Sequence, residues 1–141
     1  MISLGITVKS EYAFRILLSI AGCEKLTSLT NVSKRTNVPR EFAEKIVLQL
    51  RKAGIVKAKR GRSGGYELAK DPSQVTAYDI MTAVDELDRI VKCDPDICSR
   101  DDRESCVVKN MVWDKLMSCL KETLTSVTLQ DLLAACGREN K

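Results

Sequence analysis

The stretch "REFAEKIVLQLRKAGIVKAKRGRSGGYEL", residues 40–68, constrains the fold of this chain more than any other. Its hydrophobic period changes part-way along. Phe42, Ile46 and Leu50 recur every four residues, which sets them on one face of a helix. Gly54 closes that pattern as a C-cap. From Ile55 the period becomes two: Ile55, Lys57 and Lys59 alternate with Val56 and Ala58. "GRSGG" then turns the chain, and Tyr66 and Leu68 return as the second arm of a β-hairpin. Upstream, Pro39 in "NVP" holds Val38 extended and favours the first turn of a new helix. A short helix at about residues 30–37, burying Val32, therefore meets one at about 40–53 through a tight turn. Two helices joined in this way, with a hairpin directly behind the second, predict a helix-turn-helix followed by a wing.

The flanking sequence completes the architecture. "TVKSEYAFRILLSIAGCE" places Val8, Tyr12, Ile16 and Ile20 at helical spacing, with Ala13, Phe14 and Leu17 beside them, Thr7 as the cap and Gly22 near the end. "VTAYDIMTAVDELDRI" reads as a short amphipathic helix. "VVKNMVWDKLMSCLKETL" repeats Val108, Val112, Leu116, Leu120 and Leu124, flanked by Met111, Trp113 and Met117, which predicts a long helix over 107–124 with a wide apolar side. "TLQDLLAAC" opens a last helix at a Thr128 cap. The expected fold is mainly α with a small β-hairpin wing. A winged helix-turn-helix head spans residues 1–75. A helical dimerisation arm spans 76–141 and carries a cysteine-bearing loop at 92–107. The long helix offers more apolar surface than one small domain needs, so a homodimer is expected, with part of that surface packing on its own domain.

Charge points to a phosphate-bearing partner. The formal charge of +4 conceals a division between halves. Residues 1–70 hold 14 Lys and Arg against 5 Asp and Glu; residues 71–141 hold 9 against 14. "RKAGIVKAKRGR" has six basic residues in twelve, Arg51, Lys52, Lys57, Lys59, Arg60 and Arg62. They fall at the helix end, on the hairpin and at its tip, where a winged helix meets the backbone of double-stranded DNA. Arg60 and Arg62 flank Gly61, so a thin wing tip carries guanidinium groups towards a minor groove. The start of the second helix presents Arg40, Glu41, Glu44 and Lys45, the part of such a helix that reads the major groove. Arg40 suits guanine and Glu44 the cytosine amino group. Glu41 and Glu44 are equally ordinary acids offsetting a helix dipole. A dimer of such heads implies a near-palindromic site.

The chain has no histidine, which removes His-based acid–base catalysis, Ser-His-Asp triads and imidazole ligands. No catalytic base constellation is visible, and an enzyme is not expected. No apolar run approaches membrane-spanning length and no basic start leads into an apolar one, so the expected compartment is the cytoplasm, where thiols stay reduced. Cys23, Cys119 and Cys136 stand singly in apolar helical patterns and are expected as small buried core residues.

The other three cysteines crowd into "CDPDICSRDDRESC", with four residues between Cys93 and Cys98 and seven between Cys98 and Cys106. Three chemistries compete there. A reducing compartment disfavours a permanent disulfide but allows a sensing pair. Structural zinc sites favour closed four-ligand sets with short-spaced pairs, which this pattern lacks. An iron–sulfur cluster takes thiolates by preference, and three of them leave one iron to a fourth, non-thiolate ligand.

"SEYAFRILLSIA", "PREFAEKIVLQLRKAGIVKAKRGRSGGYELAKDP", the three-cysteine loop, "VWDKL" and "SVTLQDLL" together resemble the bacterial winged helix-turn-helix regulators that include the iron–sulfur cluster regulator IscR and the nitric-oxide sensor NsrR. The resemblance covers nearly the whole chain, and its middle motif is the most specific part. It implies a homodimer with crossing long helices, DNA reading through the helix-turn-helix and wing, and in many members a 2Fe–2S or 4Fe–4S cluster whose state controls DNA binding. It maps the cluster cysteines onto Cys93, Cys98 and Cys106. The first gap is shorter and the second longer than members commonly show, which bears on cluster type and geometry. The histidine that some members supply after the third cysteine is missing; Lys109 and Asn110 stand there. In the nitric-oxide-sensor type a first-helix carboxylate from the other subunit completes the site, and Glu11 occupies that position. The alternative for Glu11 is an exposed acid at a helix start. The implied function is a repressor whose cluster senses nitric oxide, redox state or iron supply. A cluster-free member controlled by thiol oxidation or a protein partner is the alternative.

Overall fold

The computed structural model describes residues 6–85, 87 and 107–139. Helix α1, Val8–Ala21, starts where the Thr7 side chain accepts the Lys9 N–H at 3.1 Å and ends where the Gly22 N–H reaches the Leu18 carbonyl at 3.0 Å. Its buried side is Ser10, Ala13, Ile16, Leu17 and Ile20. Val8, expected on that side, is exposed.

Helix α2, Leu29–Thr36, is capped by the Ser28 hydroxyl, which accepts the Asn31 N–H at 3.2 Å. It stops at Asn37, whose left-handed φ of 57° turns the chain. Pro39 then opens helix α3, Arg40–Lys52, which buries Ala43, Ile46, Val47 and Leu50. Phe42 is pushed half a face outward and packs edge-on to Tyr12 with ring centroids 5.9 Å apart. α3 ends in a Schellman turn: Gly54, at φ 78°, donates to the Arg51 carbonyl at 3.0 Å, and Ile55 donates to the Leu50 carbonyl at 3.0 Å. That turn folds the chain straight into strand β1.

Strand β1, Val56–Lys59, pairs antiparallel with β2, Gly65–Leu68, with Val56 opposite Leu68 and Lys59 opposite Gly65. The hairpin is tied back to the start of α2. Thr27 and Tyr66 exchange two backbone hydrogen bonds, Thr27 N–H to Tyr66 O at 3.1 Å and Tyr66 N–H to Thr27 O at 2.8 Å. Gly65 permits this approach, since a Cβ there would lie 2.7 Å from the Thr27 carbonyl oxygen.

A 3₁₀ turn, Pro72–Gln74, leads to α4, Ala77–Val84, which begins in a reciprocal capping box between Thr76 and Asp79. A π-helical turn, Lys109–Trp113, runs into α5, Asp114–Thr125. The last helix, α6, Leu129–Glu139, has a box of the same form between Thr128 and Asp131. Its start is stitched to the α4 entry by Ala77 N–H to Val127 O at 2.8 Å and Leu129 N–H to Val75 O at 2.7 Å. One core therefore joins Ile16, Leu17, Val32, Ile46 and Leu50 to Ile80, Val84 and Leu129. A second, smaller cluster packs Met117, Leu120 and Leu124 of α5 on Met81 and Leu87. Val107, Val108, Met111 and Val112, which lead into α5, and Leu116 of α5 itself are exposed at between 42% and 60%.

Candidate nucleic-acid interface

The buried side of α3 leaves Arg40, Glu41, Glu44 and Lys45 exposed on its outer side, at the start of the helix. Lys59, Arg60 and Arg62 are exposed on the hairpin and its tip. Lys57 and Lys59 both lie near Glu67 across the strands, at 3.5 and 3.7 Å. The two arginines of the tip have no ion pair among the described residues. The structure thus places the expected basic surface on two elements joined by the Schellman turn.

It also groups residues that the linear pattern does not. A groove of about 470 Å³ separates the wing from the start of α2, lined by Ser28, Arg51, Lys59, Arg60 and Tyr66 with the wing glycines. The Thr27–Tyr66 pairing is what puts Ser28 beside the wing.

Glu11 lies one turn into α1 with its side chain 55% exposed and pairs with Arg15 on the next turn. An exposed pair of this kind is worth well under ~1 kcal/mol, so the carboxylate is readily given up to another partner. Cys93, Cys98 and Cys106 lie outside the described residues. Among the described residues no group of three or more His, Cys, Asp or Glu side chains is placed to hold a metal ion. The expectation that Cys23, Cys119 and Cys136 are buried is corrected. Cys119 is exposed and the other two are half-buried, because Cys119 lies off the α5 stripe that packs on α4. The Cys23 thiol accepts from the Arg35 guanidinium across the α1–α2 corner.

One buried acid escaped the sequence reading. Asp85, 9% exposed at the end of α4, accepts the Thr7 N–H at 2.9 Å, the Thr7 hydroxyl at 2.7 Å and the Ser10 hydroxyl at 2.5 Å. Burial pushes its carboxyl up. The hydrogen bonds from Ser10 and Thr7, with the Lys9 charge, outweigh that and hold it below its ordinary value. No local signal marks it, since its partners stand 75 and 78 residues away.

Three helices with a tight turn between the second and third, and a hairpin following the third, define a winged helix-turn-helix protein. The chain belongs to the Rrf2 family of transcriptional regulators, whose description reads "Iron-dependent Transcriptional regulator" and whose profile matches residues 6–135. It is 31% identical to the HTH-type transcriptional regulator IscR of Serratia proteamaculans over 144 residues, covering 96% of this chain and 86% of the relative. A solved structure of T. potens IscR superposes with a TM-score of 0.72 at 29% identity, over 93% of this chain and 87% of the other. The structure of CymR, titled the global cysteine regulator of B. subtilis, gives a TM-score of 0.72 at 30% identity, over 92% and 96%. Among the described residues no helix is long and apolar enough to cross a membrane.

Proposed function

We propose that this chain is a homodimeric repressor that reads a near-palindromic operator and whose DNA affinity is set by an iron–sulfur cluster. In this reading residues 1–75 read DNA, with Arg40, Glu41, Glu44 and Lys45 in the major groove and Lys59, Arg60 and Arg62 on the wing. Residues 76–141 carry the dimer contact and the cluster thiolates. The observation that carries the reading is the set of three cysteines, Cys93, Cys98 and Cys106, in a chain whose family is described as iron-dependent. The donor chemistry fits: three thiolates suit a 2Fe–2S or 4Fe–4S core, and Glu11, exposed and held only by a weak ion pair, suits a fourth ligand supplied to the other subunit. Bound there, the cluster would supply a redox- and nitric-oxide-reactive centre. The residues do the coupling. Glu11 stands on α1, which packs against α2 and α3, while the cysteines follow α4 in the sequence. A ligand set divided between them ties the angle of the α3 helices to the state of the thiolates.

The CymR likeness favours a second reading, a cluster-free regulator answering to thiol oxidation or a protein partner. Anaerobic purification followed by iron and acid-labile sulfide analysis and an absorption spectrum separates the two. Near-equal iron and sulfide with visible absorption is expected. A colourless, iron-free protein after anaerobic reconstitution overturns the cluster and leaves the second reading. Glu11→Ala is expected to alter the spectrum or shorten the lifetime of the cluster; an unchanged spectrum and stability removes Glu11 from the ligand set.

A further inference from the structure

Helix α3 carries a large apolar side chain in the middle of its charged outer face. Leu48 is 48% exposed. At about 100° per residue it points nearly opposite the buried side of Ala43, Ile46, Val47 and Leu50. It shares its face with Glu41, Glu44, Lys45 and Lys52, all exposed. Phe42, also exposed, stands on a different side of the helix and has an aromatic neighbour in Tyr12. Leu48 is ringed by charge instead. None of those four charged side chains forms an ion pair among the described residues. The ring decides what can cover the leucine. An apolar protein surface would strip water from four unpaired charges, which is costly. A DNA major groove answers each of them: phosphates at its rim meet lysines, and base amino groups on its floor meet carboxylates. The apolar group on that floor is the C5-methyl of thymine.

We propose that Leu48 packs on the C5-methyl of one thymine in each half-site and so selects thymine over cytosine there. The proposal rests on the DNA-binding reading above and deepens it with a specificity-determining residue, one that reads a base edge by shape and apolar contact rather than by a hydrogen bond. Leu48 lies one turn beyond Glu44, about 6 Å along the helix axis. The thymine therefore lies within about two base pairs of the one that Glu44 faces.

The test uses the full-length protein and a duplex selected from a random-sequence pool by that protein. Deoxyuridine, which lacks only the methyl group, replaces each thymine of the duplex in turn. One position per half-site is expected to weaken binding by the parent about fourfold, the worth of one buried methyl. Leu48→Ala should weaken binding to the unmodified duplex by a similar factor and become indifferent to uracil at that position alone. Its slope of log affinity against log salt should match the parent's, because no phosphate contact is lost. Leu48→Met keeps an apolar side chain of similar reach and should retain part of the uracil sensitivity. Both variants should melt with the parent, since the position is exposed. If Leu48→Ala keeps the parent's whole uracil profile, or no thymine of the half-site is sensitive in the parent, the methyl contact is refuted while DNA binding stands. If Leu48→Ala leaves that profile unchanged but alters the sedimentation of the protein, the leucine belongs to a protein contact and the assignment to thymine is overturned. If the parent enriches no duplex from the pool, the DNA-binding reading itself fails and takes this proposal with it.

Discussion

Replacing Asp85 with alanine removes one carboxylate and strands three donors. The Ser10 side of the site is buried at 3% exposure, so its hydroxyl cannot turn to water. Thr7 is exposed, and its two donors can rehydrate. A hydrogen bond to an ionised acceptor contributes about 1.5–3 kcal/mol, and a stranded buried donor costs about 1–3 kcal/mol. Counting the Ser10 contact fully and those to Thr7 in part gives a loss of about 3 kcal/mol. Asp85→Asn keeps an oxygen for Ser10 and for the Thr7 N–H, and the Thr7 hydroxyl can rotate to accept from the new amide, so only the charge is lost, at about 1 kcal/mol. Urea denaturation at fixed protein concentration reads both. With a slope of about 2 kcal/mol/M, alanine moves the midpoint down by about 1.5 M and asparagine by about 0.5 M. The pH dependence gives an independent check. The folded carboxyl titrates below its ordinary value of 3.8, so the folded state binds this proton more weakly than the unfolded chain. Its contribution is complete above that value and is lost as pH falls through the lower, folded one. The gap between the parent and Asp85→Asn should therefore close in acid. An alanine variant within about 0.5 kcal/mol of the parent at neutral pH, or a gap to asparagine that stays constant into acid, would refute this account.

Two further outcomes follow from the geometry. Gly65→Ala forces a Cβ to 2.7 Å from the Thr27 carbonyl oxygen, so it should cost about 2 kcal/mol by thermal melt and weaken DNA binding by releasing the wing. Leu116→Asp places a charge in the exposed apolar stripe of α5 without touching the Met117–Leu120–Leu124 packing; if the proposed homodimer forms through this stripe, sedimentation should show a shift from dimer to monomer with helicity retained, and a dimer unchanged by the substitution puts the interface elsewhere.

Much of the element layout can be read from local chemistry. Pro39, Gly54, Thr76 and Thr128 each act within a few residues of themselves, and the structure starts or ends a helix or turn beside each. The glycine-rich tip likewise signals its hairpin. Tertiary relations are different in kind. Nothing near Asp85 announces partners on the first turn of α1. Nothing near Ser28 announces the wing, which reaches it only through Thr27 and Tyr66. The long apolar stripe shows a third limit. Each step of four residues advances about 40° around a helix, so Val108 and Leu124 cannot share one face. The π turn at Lys109–Trp113 alters the phase again. The stripe accordingly divides, Leu120 and Leu124 packing on α4 and Leu87 while Val108 and Val112 face outward. The cysteine residues of the candidate cluster rest on spacing and family likeness alone.

The hairpin has two unequal edges. β2 is partly covered by Thr27, whereas β1, among the described residues, has no strand on its far side. An open strand edge is a template for another chain's backbone, and lysines along it are a common guard against such growth. Lys57 and Lys59 occupy that edge, both exposed. In the proposed function their charge would guard this edge as well as meet phosphate, and a variant that made them apolar is then expected to lose DNA affinity and invite aggregation together, two defects that only a concentration series would tell apart.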